Sequence, residues 1–278
     1  MARTRSVKVA RAALDPLWQS IREEVAGDVE HEPVLASFLH ATVLNHKSLE
    51  DALAFLLAGK LECSVLPAML VRELIADAVE ASPGIGQSIR ADIRAIRDRD
   101  PAAKRFSEPF LYFKGFHALQ THRVAHWLWH EGRQALALFL QNRTSEVFGV
   151  DMHPAARIGN GILIDHATSV VVGETAVIED NVSILHEVTI GGTGKADGDR
   201  HPKVRHGVLI GAGAKILGNV EVGRGAKIGA GSVVLENVPP HCTVAGVPAV
   251  VIGTPNVDEP ALEMDHRLPC NPDAEDCG

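Results

Sequence analysis

A chain of 278 residues can bury a sizeable core and form two domains, and with only 4% aromatic residues that core must consist mainly of small aliphatic side chains. The formal net charge of -8, with lysine and arginine scattered along the chain, argues against the basic stripe that nucleic-acid binding requires. No apolar run is long enough to span a bilayer and the four cysteines form no CxxC pair, so we expect a cytoplasmic protein with reduced thiols and no membrane partner.

The first half of the chain has a helical pattern. Apolar residues recur at helical spacing from Leu14 to about Arg143, as in SLEDALAFLLAGKL over residues 48–61. Prolines at positions 33, 83 and 101 interrupt the pattern, since the residue before a proline is disfavoured in a helix. The sequence therefore predicts an all-α domain of five to eight helices over residues 1–148.

After Val150 the apolar period changes to six, which is typical of a parallel β-helix built from hexapeptide repeats. Three hexapeptides close one coil, and aliphatic residues point inward. The twelve inward positions, with a two-residue slip after the third, are Met152, Ile158, Ile164, Val172, Ile178, Ile184, Ile190, Ile210, Ile216, Val222, Ile228 and Val234. They predict about four coils over residues 149–253, with aliphatic faces suited to self-association, and so a homo-oligomer. The overall class is α+β.

The stretch GGTGKADGDRHPKVRHG, residues 191–207, interrupts this repeat. It lacks inward aliphatic residues at the expected phase, so we expect most of it to leave the coil as a loop. Loops on a rigid scaffold are where binding groups tend to lie. An arginine next to a histidine, Arg200-His201, suits a carboxylate ligand.

A candidate catalytic residue follows the inward Ile164. His166 lies at a corner of the repeat and should project outward, with Asp151, Asp165 and Glu174 as candidate carboxylate partners. A histidine has a pKa near neutrality and can act as a general base when a carboxylate orients it. The spacing alone does not choose among these carboxylates, nor does it separate His166 from His186, which occupies the same place after Ile184.

The motifs of both halves strongly resemble those of bacterial serine O-acetyltransferases, up to about residue 253. They are DHATSVVVGETAVIEDNVSILHEVTIGGTG from residue 165, GDRHPK from residue 198, VEVGRGAKIGAGSVV from residue 220, and, in the helical half, RDRDPA and LYFKGFHALQTHRVAHWLW. The resemblance implies a left-handed β-helix and acetyl transfer from acetyl-CoA to the hydroxyl of L-serine, the first step of cysteine biosynthesis. It also implies feedback inhibition by L-cysteine and a trimer or a hexamer of two trimers.

The resemblance further implies roles for individual residues. His166 would be the general base and Asp151 its orienting partner, while His186 would be a surface residue. Asp100 and Asp165 would bind the amino group of serine, and Arg200 and His201 its carboxylate. The positions expected along the acetyl-CoA arm are Gly192, Thr193, Ala212 and Ala230, with Lys227 near a phosphate. No metal is expected.

Three alternatives remain open from the residues alone. A sugar- or antibiotic-directed acetyltransferase would share the histidine but would not need Asp100 or Arg200. A zinc protein would use histidines of the β-helical half, or His122, His126 and His130, which recur every four residues on one predicted helix. A scaffold that only binds a partner would leave the DHAT and GDRHPK residues without a role.

The segment from residue 254 to 278 is rich in proline and acidic residues and lacks periodicity, which predicts a flexible C-terminal tail. Members of the family commonly end in an isoleucine that binds O-acetylserine sulfhydrylase. This sequence ends in Asp276-Cys277-Gly278, so we expect weak or absent binding to that enzyme.

Overall fold

A computed structural model describes residues 15–194 and 197–268 of the chain. Within these ranges eight α-helices precede the first strand, with a 3₁₀ turn (Pro33–Leu35) before the second helix and a π-helical turn (His40–Leu44) after it. The helices are α1 (Pro16–His31), α2 (Ala36–Leu39), α3 (Leu49–Leu61), α4 (Ala68–Ala81), α5 (Pro83–Arg99), α6 (Ser107–Tyr112), α7 (Lys114–His130) and α8 (Gln134–Phe148).

Local sequence signals fix several helix ends. The Ser48 hydroxyl accepts a hydrogen bond from the Asp51 backbone N–H and so caps the start of α3. Pro83 occupies the first turn of α5, where its missing N–H costs nothing. Gly149 adopts a left-handed conformation with φ +69° directly after α8, a backbone conformation that glycine tolerates best. The chain leaves the helical region at this glycine and enters the first strand.

The strands that follow are short. They are β1 (Val150–Met152), β2 (Arg157–Ile158), β3 (Leu163–Ile164), β4 (Val170–Val172), β5 (Val177–Ile178), β6 (Ser183–Ile184), β7 (Thr189–Gly191), β8 (Lys203–Val204), β9 (Leu209–Ile210), β10 (Lys215–Leu217), β11 (Glu221–Val222), β12 (Lys227–Ile228), β13 (Val233–Val234), β14 (Thr243–Gly246) and β15 (Ala249–Gly253). A last short helix, α9 (Pro260–Glu263), follows them.

Every third strand joins the same sheet, which confirms the predicted parallel β-helix behind a helical region. The first sheet has the order β1-β4-β7-β10-β13, the second β2-β5-β8-β11, and the third β3-β6-β9-β12-β14, to which β15 adds an antiparallel edge. Inward aliphatic residues stack directly in this register, as Val172 does on Met152 and Ile190 on Val172. The column of buried aliphatic side chains forms the core of the coil.

The number of coils differs from the prediction. The first sheet has five strands, so the β-helix has about five coils rather than four. The prediction missed Val204, which is fully buried and pairs with Ile178 and Val222 as a further inward residue. A count of six positions did not identify it, because 14 positions separate it from Ile190. The difference corresponds to an insertion of eight residues. The insertion lies between the end of β7 at Gly191 and the start of β8 at Lys203.

The strands meet at three columns of corners. The first corner column joins the first sheet to the second, the second joins the second sheet to the third, and the third returns the chain from the third sheet to the first.

The helical region docks on the first coil through a buried ion pair. Asp92 of α5 is fully buried and accepts hydrogen bonds from Arg123 of α7, at 2.7 Å, and from the Ile162 backbone N–H, at 3.0 Å. Arg123 also donates to the Gly159 carbonyl at 2.8 Å. One carboxylate therefore joins two helices to a corner of the β-helix.

Residues 254–268 pack against the coil, which their aperiodic sequence did not predict. Ala261 of α9 is buried, and its carbonyl oxygen accepts a hydrogen bond from the Ser183 hydroxyl at 2.8 Å. The residues invoked for sulfhydrylase binding, 276–278, lie outside the described part of the chain. Within that part, no helix combines the length and apolar character that crossing a membrane requires.

Candidate active site

His166 lies on the third corner column, on an enlarged corner of the first coil. The two-residue slip between Ile164 and Val172 forms this corner, and three of its residues, His166, Ala167 and Ser169, have positive φ angles of 55°, 59° and 61°. Non-glycine residues seldom adopt this conformation, and it concentrates at functional sites. The side chain of His166 is 72% exposed, so the enlarged corner displays the imidazole to solvent.

The start of α7 supports this corner from the helical side. A Cβ atom at Gly115 would lie 2.0 Å from the Ile164 carbonyl oxygen, so only glycine permits the observed approach. Lys114 donates a hydrogen bond to the Thr168 hydroxyl at 2.6 Å. The conformation of the DHAT corner therefore depends on the helical region.

Two carboxylates lie near the imidazole. The Asp165 Oδ2 atom is 3.5 Å from His166 Nε2. Burial raises the pKa of Asp165, and the neighbouring Asp100 carboxylate raises it further, while His166 opposes both effects. Asp100 directly follows α5, so the helical region contributes a carboxylate to the corner that carries the histidine. The two carboxylates form an acidic pair, as the binding of a cationic group requires.

Asp151 lies on β1 in the first sheet. Its Oδ1 atom accepts a hydrogen bond from Gln141 of α8 at 2.6 Å. In the part of the chain that the structure describes, no hydrogen bond joins Asp151 to His166. The orienting role of Asp151 stays a prediction.

His186 lies one coil further along the same corner column. Its ring centroid is 5.8 Å from that of His166, with an interplanar angle of 67°, and the side chain is half-buried. The Glu187 backbone N–H donates to the Thr168 carbonyl oxygen at 2.7 Å, which stacks the two corners. His186 is therefore a partly exposed neighbour of the candidate base, and its assignment as a surface residue stays a prediction. The shared phase after Ile164 and Ile184 was the signal in the sequence.

Arg200 and His201 lie instead on the first corner column, at the end of the loop. Arg200 Nη2 is 2.6 Å from Glu174 Oε2, and this contact lowers the pKa of Glu174. The Thr175 hydroxyl accepts hydrogen bonds from the backbone N–H groups of Arg200 and His201, both at 3.1 Å. Glu174, one of the three carboxylates considered for His166, thus contacts Arg200.

The hydrogen bonds around His201 determine which nitrogen carries its proton. Its side chain is largely buried, and burial together with the Arg200 charge lowers its pKa, which favours the neutral imidazole. The Thr175 backbone N–H donates to Nδ1 at 3.2 Å, so Nδ1 is the acceptor and Nε2 carries the hydrogen. Together, Arg200 and His201 offer a guanidinium and an N–H donor, as carboxylate binding requires.

The expected acetyl-CoA contacts divide between the same two corner columns. Gly192 and Thr193 begin the loop on the first column, while Ala212 and Ala230 lie on the third. The latter two belong to stacked corners, because the Gly231 backbone N–H donates to the Ala212 carbonyl oxygen at 2.7 Å. Small residues leave room for a ligand to approach the backbone at these positions.

Lys227 differs from these four positions. It lies on β12 in the third sheet, and its ammonium group donates a hydrogen bond to the Arg267 carbonyl oxygen at 2.5 Å. Burial lowers its pKa. The C-terminal segment therefore covers the lysine that we expected near a phosphate.

The two groups of polar residues are separate within one chain. His166, Asp165, Asp100 and His186 cluster at the third corner column, whereas Arg200, His201 and Glu174 cluster at the first. The width of the first sheet lies between them. Across residues 15–194 and 197–268, no hydrogen bond or ion pair joins one group to the other.

The histidines of α7 have a structural environment. His122 is buried and contacts the His153 carbonyl oxygen through Nε2 at 3.2 Å, and burial lowers its pKa to about 3. His126 Nδ1 lies 2.7 Å from the Pro154 carbonyl oxygen. Both join α7 to the first corner of the coil. Among the described residues, no three histidine, cysteine or acidic side chains are placed to hold a metal ion.

Comparison with known proteins agrees with this architecture in both halves. Residues 17–121 match the model of the N-terminal domain of serine acetyltransferases, and residues 201–236 match the bacterial transferase hexapeptide model. The serine acetyltransferase of Salmonella typhimurium is 60% identical over 255 residues, which cover 92% of this chain and 93% of that protein. The chain belongs to the serine acetyltransferase family.

Solved structures of the family superpose closely. The Vibrio cholerae serine acetyltransferase matches with a TM-score of 0.90 and 59% identity, over 90% of this chain and 97% of that one. A serine acetyltransferase in complex with cysteine matches with a TM-score of 0.89 and 55% identity, over 91% of this chain and 98% of that one. The Brucella abortus enzyme in complex with coenzyme A matches with a TM-score of 0.86 and 56% identity, over 87% of this chain and 98% of that one. The Neisseria gonorrhoeae enzyme in complex with serine matches with a TM-score of 0.83 and 54% identity, over 86% of this chain and 98% of that one.

Proposed function

We infer that this chain transfers the acetyl group of acetyl-CoA to the hydroxyl of L-serine, giving O-acetyl-L-serine and CoA. This is the first step of cysteine biosynthesis, and L-cysteine inhibits it. The observation that carries the inference is the exposed imidazole of His166 beside the paired carboxylates Asp100 and Asp165, in a chain of the serine acetyltransferase family. Relatives solved with serine, cysteine and coenzyme A support the same ligands for this chain.

The reaction needs a base and then an acid, and His166 can supply both. The imidazole removes the serine hydroxyl proton as the oxygen attacks the thioester carbonyl. The imidazolium then gives that proton to the CoA sulfur as the carbon–sulfur bond breaks, so the proton balance closes. General acid–base catalysis contributes roughly a hundred- to ten-thousand-fold, and the positioning of the two substrates must supply much of the remaining acceleration. We assign the stabilisation of the imidazolium to Asp151.

Charge complementarity assigns the serine contacts. The ammonium group of serine would lie between Asp100 and Asp165, whose mutual repulsion a bound cation relieves. Its carboxylate would meet the Arg200 guanidinium and the Nε2–H of His201. A sugar or an antibiotic acceptor lacks this pair of opposite charges, so the arrangement favours an amino acid.

These contacts place serine between two groups that one chain keeps apart. We therefore propose that the third corner column of one copy faces the first corner column of the next copy in a homotrimer. The acetyl-CoA arm would lie in the same cleft, with Ala212 and Ala230 on one side and Gly192 and Thr193 on the other. Lys227 would reach a phosphate only if residues 265–268 moved, because the lysine is buried and its ammonium group donates to the Arg267 carbonyl oxygen.

The helical region supports a further association. Large apolar side chains are exposed in two of its segments, Val34, Leu35 and Phe38 in one and Val65, Met69 and Leu70 in the other. Contacts through these side chains would join two trimers into a hexamer. We accordingly assign residues 1–148 to oligomerisation and to the Asp100 part of the serine site, residues 149–253 to catalysis, and residues 254–278 to a C-terminal segment.

The decisive assay measures CoA-thiol release by the purified protein with acetyl-CoA and L-serine. D-serine, a galactoside and a reaction without acceptor serve as controls, together with the His166→Ala variant. We expect release that requires both L-serine and His166. Release with another acceptor, or an unchanged rate in the variant, would contradict the assignment.

L-cysteine should occupy the serine contacts, because it carries the same ammonium and carboxylate groups with a thiol in place of the hydroxyl. Arg200→Ala should therefore weaken inhibition by L-cysteine along with binding of L-serine. Inhibition curves for the variant and the wild type measure the effect. Unchanged cysteine inhibition in this variant would place the inhibitor elsewhere.

A further inference from the structure

Arg99, the last residue of α5, is a buried cation that has no ion-pair partner among residues 15–194 and 197–268. The residue is 8% exposed, and among the described residues its guanidinium contacts an amide oxygen and a hydroxyl but forms no salt bridge with a carboxylate. Burial lowers its pKa to about 10, so it remains protonated at neutral pH. A buried cation without a carboxylate counter-ion usually costs stability. A role in fixing geometry would explain its presence.

The guanidinium contacts the second coil of the β-helix. Nη2 donates to the Asn181 side-chain oxygen at 2.9 Å, and Nη1 donates to the Ser183 hydroxyl at 3.2 Å. Ser183 in turn donates to the carbonyl oxygen of Ala261 in α9. Arg99 therefore joins the end of α5 to both the second coil and the packed C-terminal segment.

A second contact fixes α5 seven residues earlier. Asp92 accepts a hydrogen bond from the Ile162 backbone N–H, on the first coil. With two attachment points about two turns apart, the helix can neither slide along the coils nor rotate about its axis. The position of the residue that follows the helix is thereby determined.

That next residue is Asp100. It leaves the helix in an extended conformation, with φ -94° and ψ 111°, and its carboxylate accepts a hydrogen bond from the Ala102 N–H at 2.8 Å. We propose that Arg99 is a positioning residue for L-serine, which holds the end of α5 on the second coil so that the Asp100 carboxylate meets the substrate ammonium beside Asp165. The proposal rests on the proposed serine-binding role of Asp100.

The test uses one variant on each side of the contact. Arg99→Met removes the guanidinium but keeps an unbranched side chain of similar reach. Asn181→Gly removes one acceptor and suits the backbone, because Asn181 has a φ of +59° that glycine adopts freely. Arg94→Met is the matched control, since Arg94 is an exposed arginine on the same helix.

We expect Arg99→Met to raise the KM for L-serine by about tenfold, because a displaced Asp100 would weaken one charge-assisted contact with the substrate ammonium. Asn181→Gly should raise this KM by less. The KM for acetyl-CoA should stay within about twofold, and Arg94→Met should resemble the wild type. A purely structural role would lower the active fraction, and hence kcat, but would leave the serine KM unchanged. Asn181→Gly keeps the test decisive if Arg99→Met does not fold.

The Asp100→Asn variant separates this proposal from the proposed function. Suppose that Asp100→Asn raises the serine KM, and that the double variant with Arg99→Met raises the KM by less than about twofold further. The two residues then act together as proposed. If Asp100→Asn raises the serine KM while Arg99→Met and Asn181→Gly do not, Arg99 is not a positioning residue. If Asp100→Asn leaves the serine KM unchanged, the assignment of Asp100 to the substrate is wrong.

Discussion

Removal of the Asp92 carboxylate should strongly destabilise the protein. Asp92 is fully buried and accepts four hydrogen bonds, two from Arg123, one from Gln120 and one from the Ile162 backbone N–H. In Asp92→Ala the guanidinium of Arg123 stays buried without its counter-ion, and the Ile162 N–H loses its only acceptor within the described residues. Breaking a buried ion pair by removing one partner costs about 3–5 kcal/mol.

Urea unfolding followed by far-UV circular dichroism measures this cost. The protein concentration is held fixed, because the proposed association of copies would contribute to stability. Asp77→Ala is the control, since Asp77 is exposed on α4, and it should change the free energy of unfolding by less than about 0.5 kcal/mol. Asp92→Asn should fall between the two, because the amide retains an acceptor oxygen but loses the charge.

A double variant separates the loss of the ion pair from the loss of packing. Asp92→Leu combined with Arg123→Met removes both charges and should be less destabilised than Asp92→Ala, since no uncompensated cation remains. If Asp92→Ala costs no more than about 1 kcal/mol, the buried pair does not hold the helices on the coil as argued.

Gly115→Ala should lower stability and activity, because its Cβ would lie 2.0 Å from a backbone carbonyl of the DHAT corner. Gly59→Ala is the control, since nothing lies within 4 Å of a Cβ at that position. Thermal melts and CoA-release assays compare the two variants, and equal results for both would mean that the Gly115 contact is unimportant. Stability should fall as the pH drops below about 6.5, because His122, with its pKa lowered to about 3, takes up its proton in that range only when the chain unfolds. His122→Gln should reduce this slope in melting temperatures measured between pH 6.5 and 4, and an unchanged slope would exclude His122 as a cause. Glu174→Gln should raise the serine KM but not the acetyl-CoA KM, because Arg200 loses its ion pair; an unaltered serine KM in initial-rate assays would mean that Glu174 does not orient it.

Much of the fold follows from the sequence because each coil repeats one local rule. An aliphatic residue every sixth position must point inward, and the stacked pairs Met152, Val172 and Ile190 follow that rule. Val204 was missed because the rule counts positions along the chain, and an insertion of eight residues changes the count without changing the coil.

The candidate site was less predictable, because its contacts join residues that are distant in sequence. The phase of the repeat places His166 and His186 on one corner column, but it gives no sign of which carboxylate reaches which cation. Glu174 contacts Arg200 although 26 residues separate them in the sequence, because both lie on the first corner column. Lys227 is covered by residues 265–268, whose aperiodic sequence carries no signal of where they pack.

We propose that the two halves of one acetyl-transfer site lie on neighbouring copies of the chain, and hybrid oligomers test this most directly. Copies carrying His166→Ala and copies carrying Arg200→Ala would be co-expressed in equal amounts. Each variant alone should be nearly inactive when assayed at a serine concentration near the wild-type KM. In a randomly mixed trimer, about a quarter of the clefts would combine an intact third corner column with an intact first one. We expect recovery of about a quarter of the wild-type CoA release, and a mixture no more active than either variant alone would contradict the shared site.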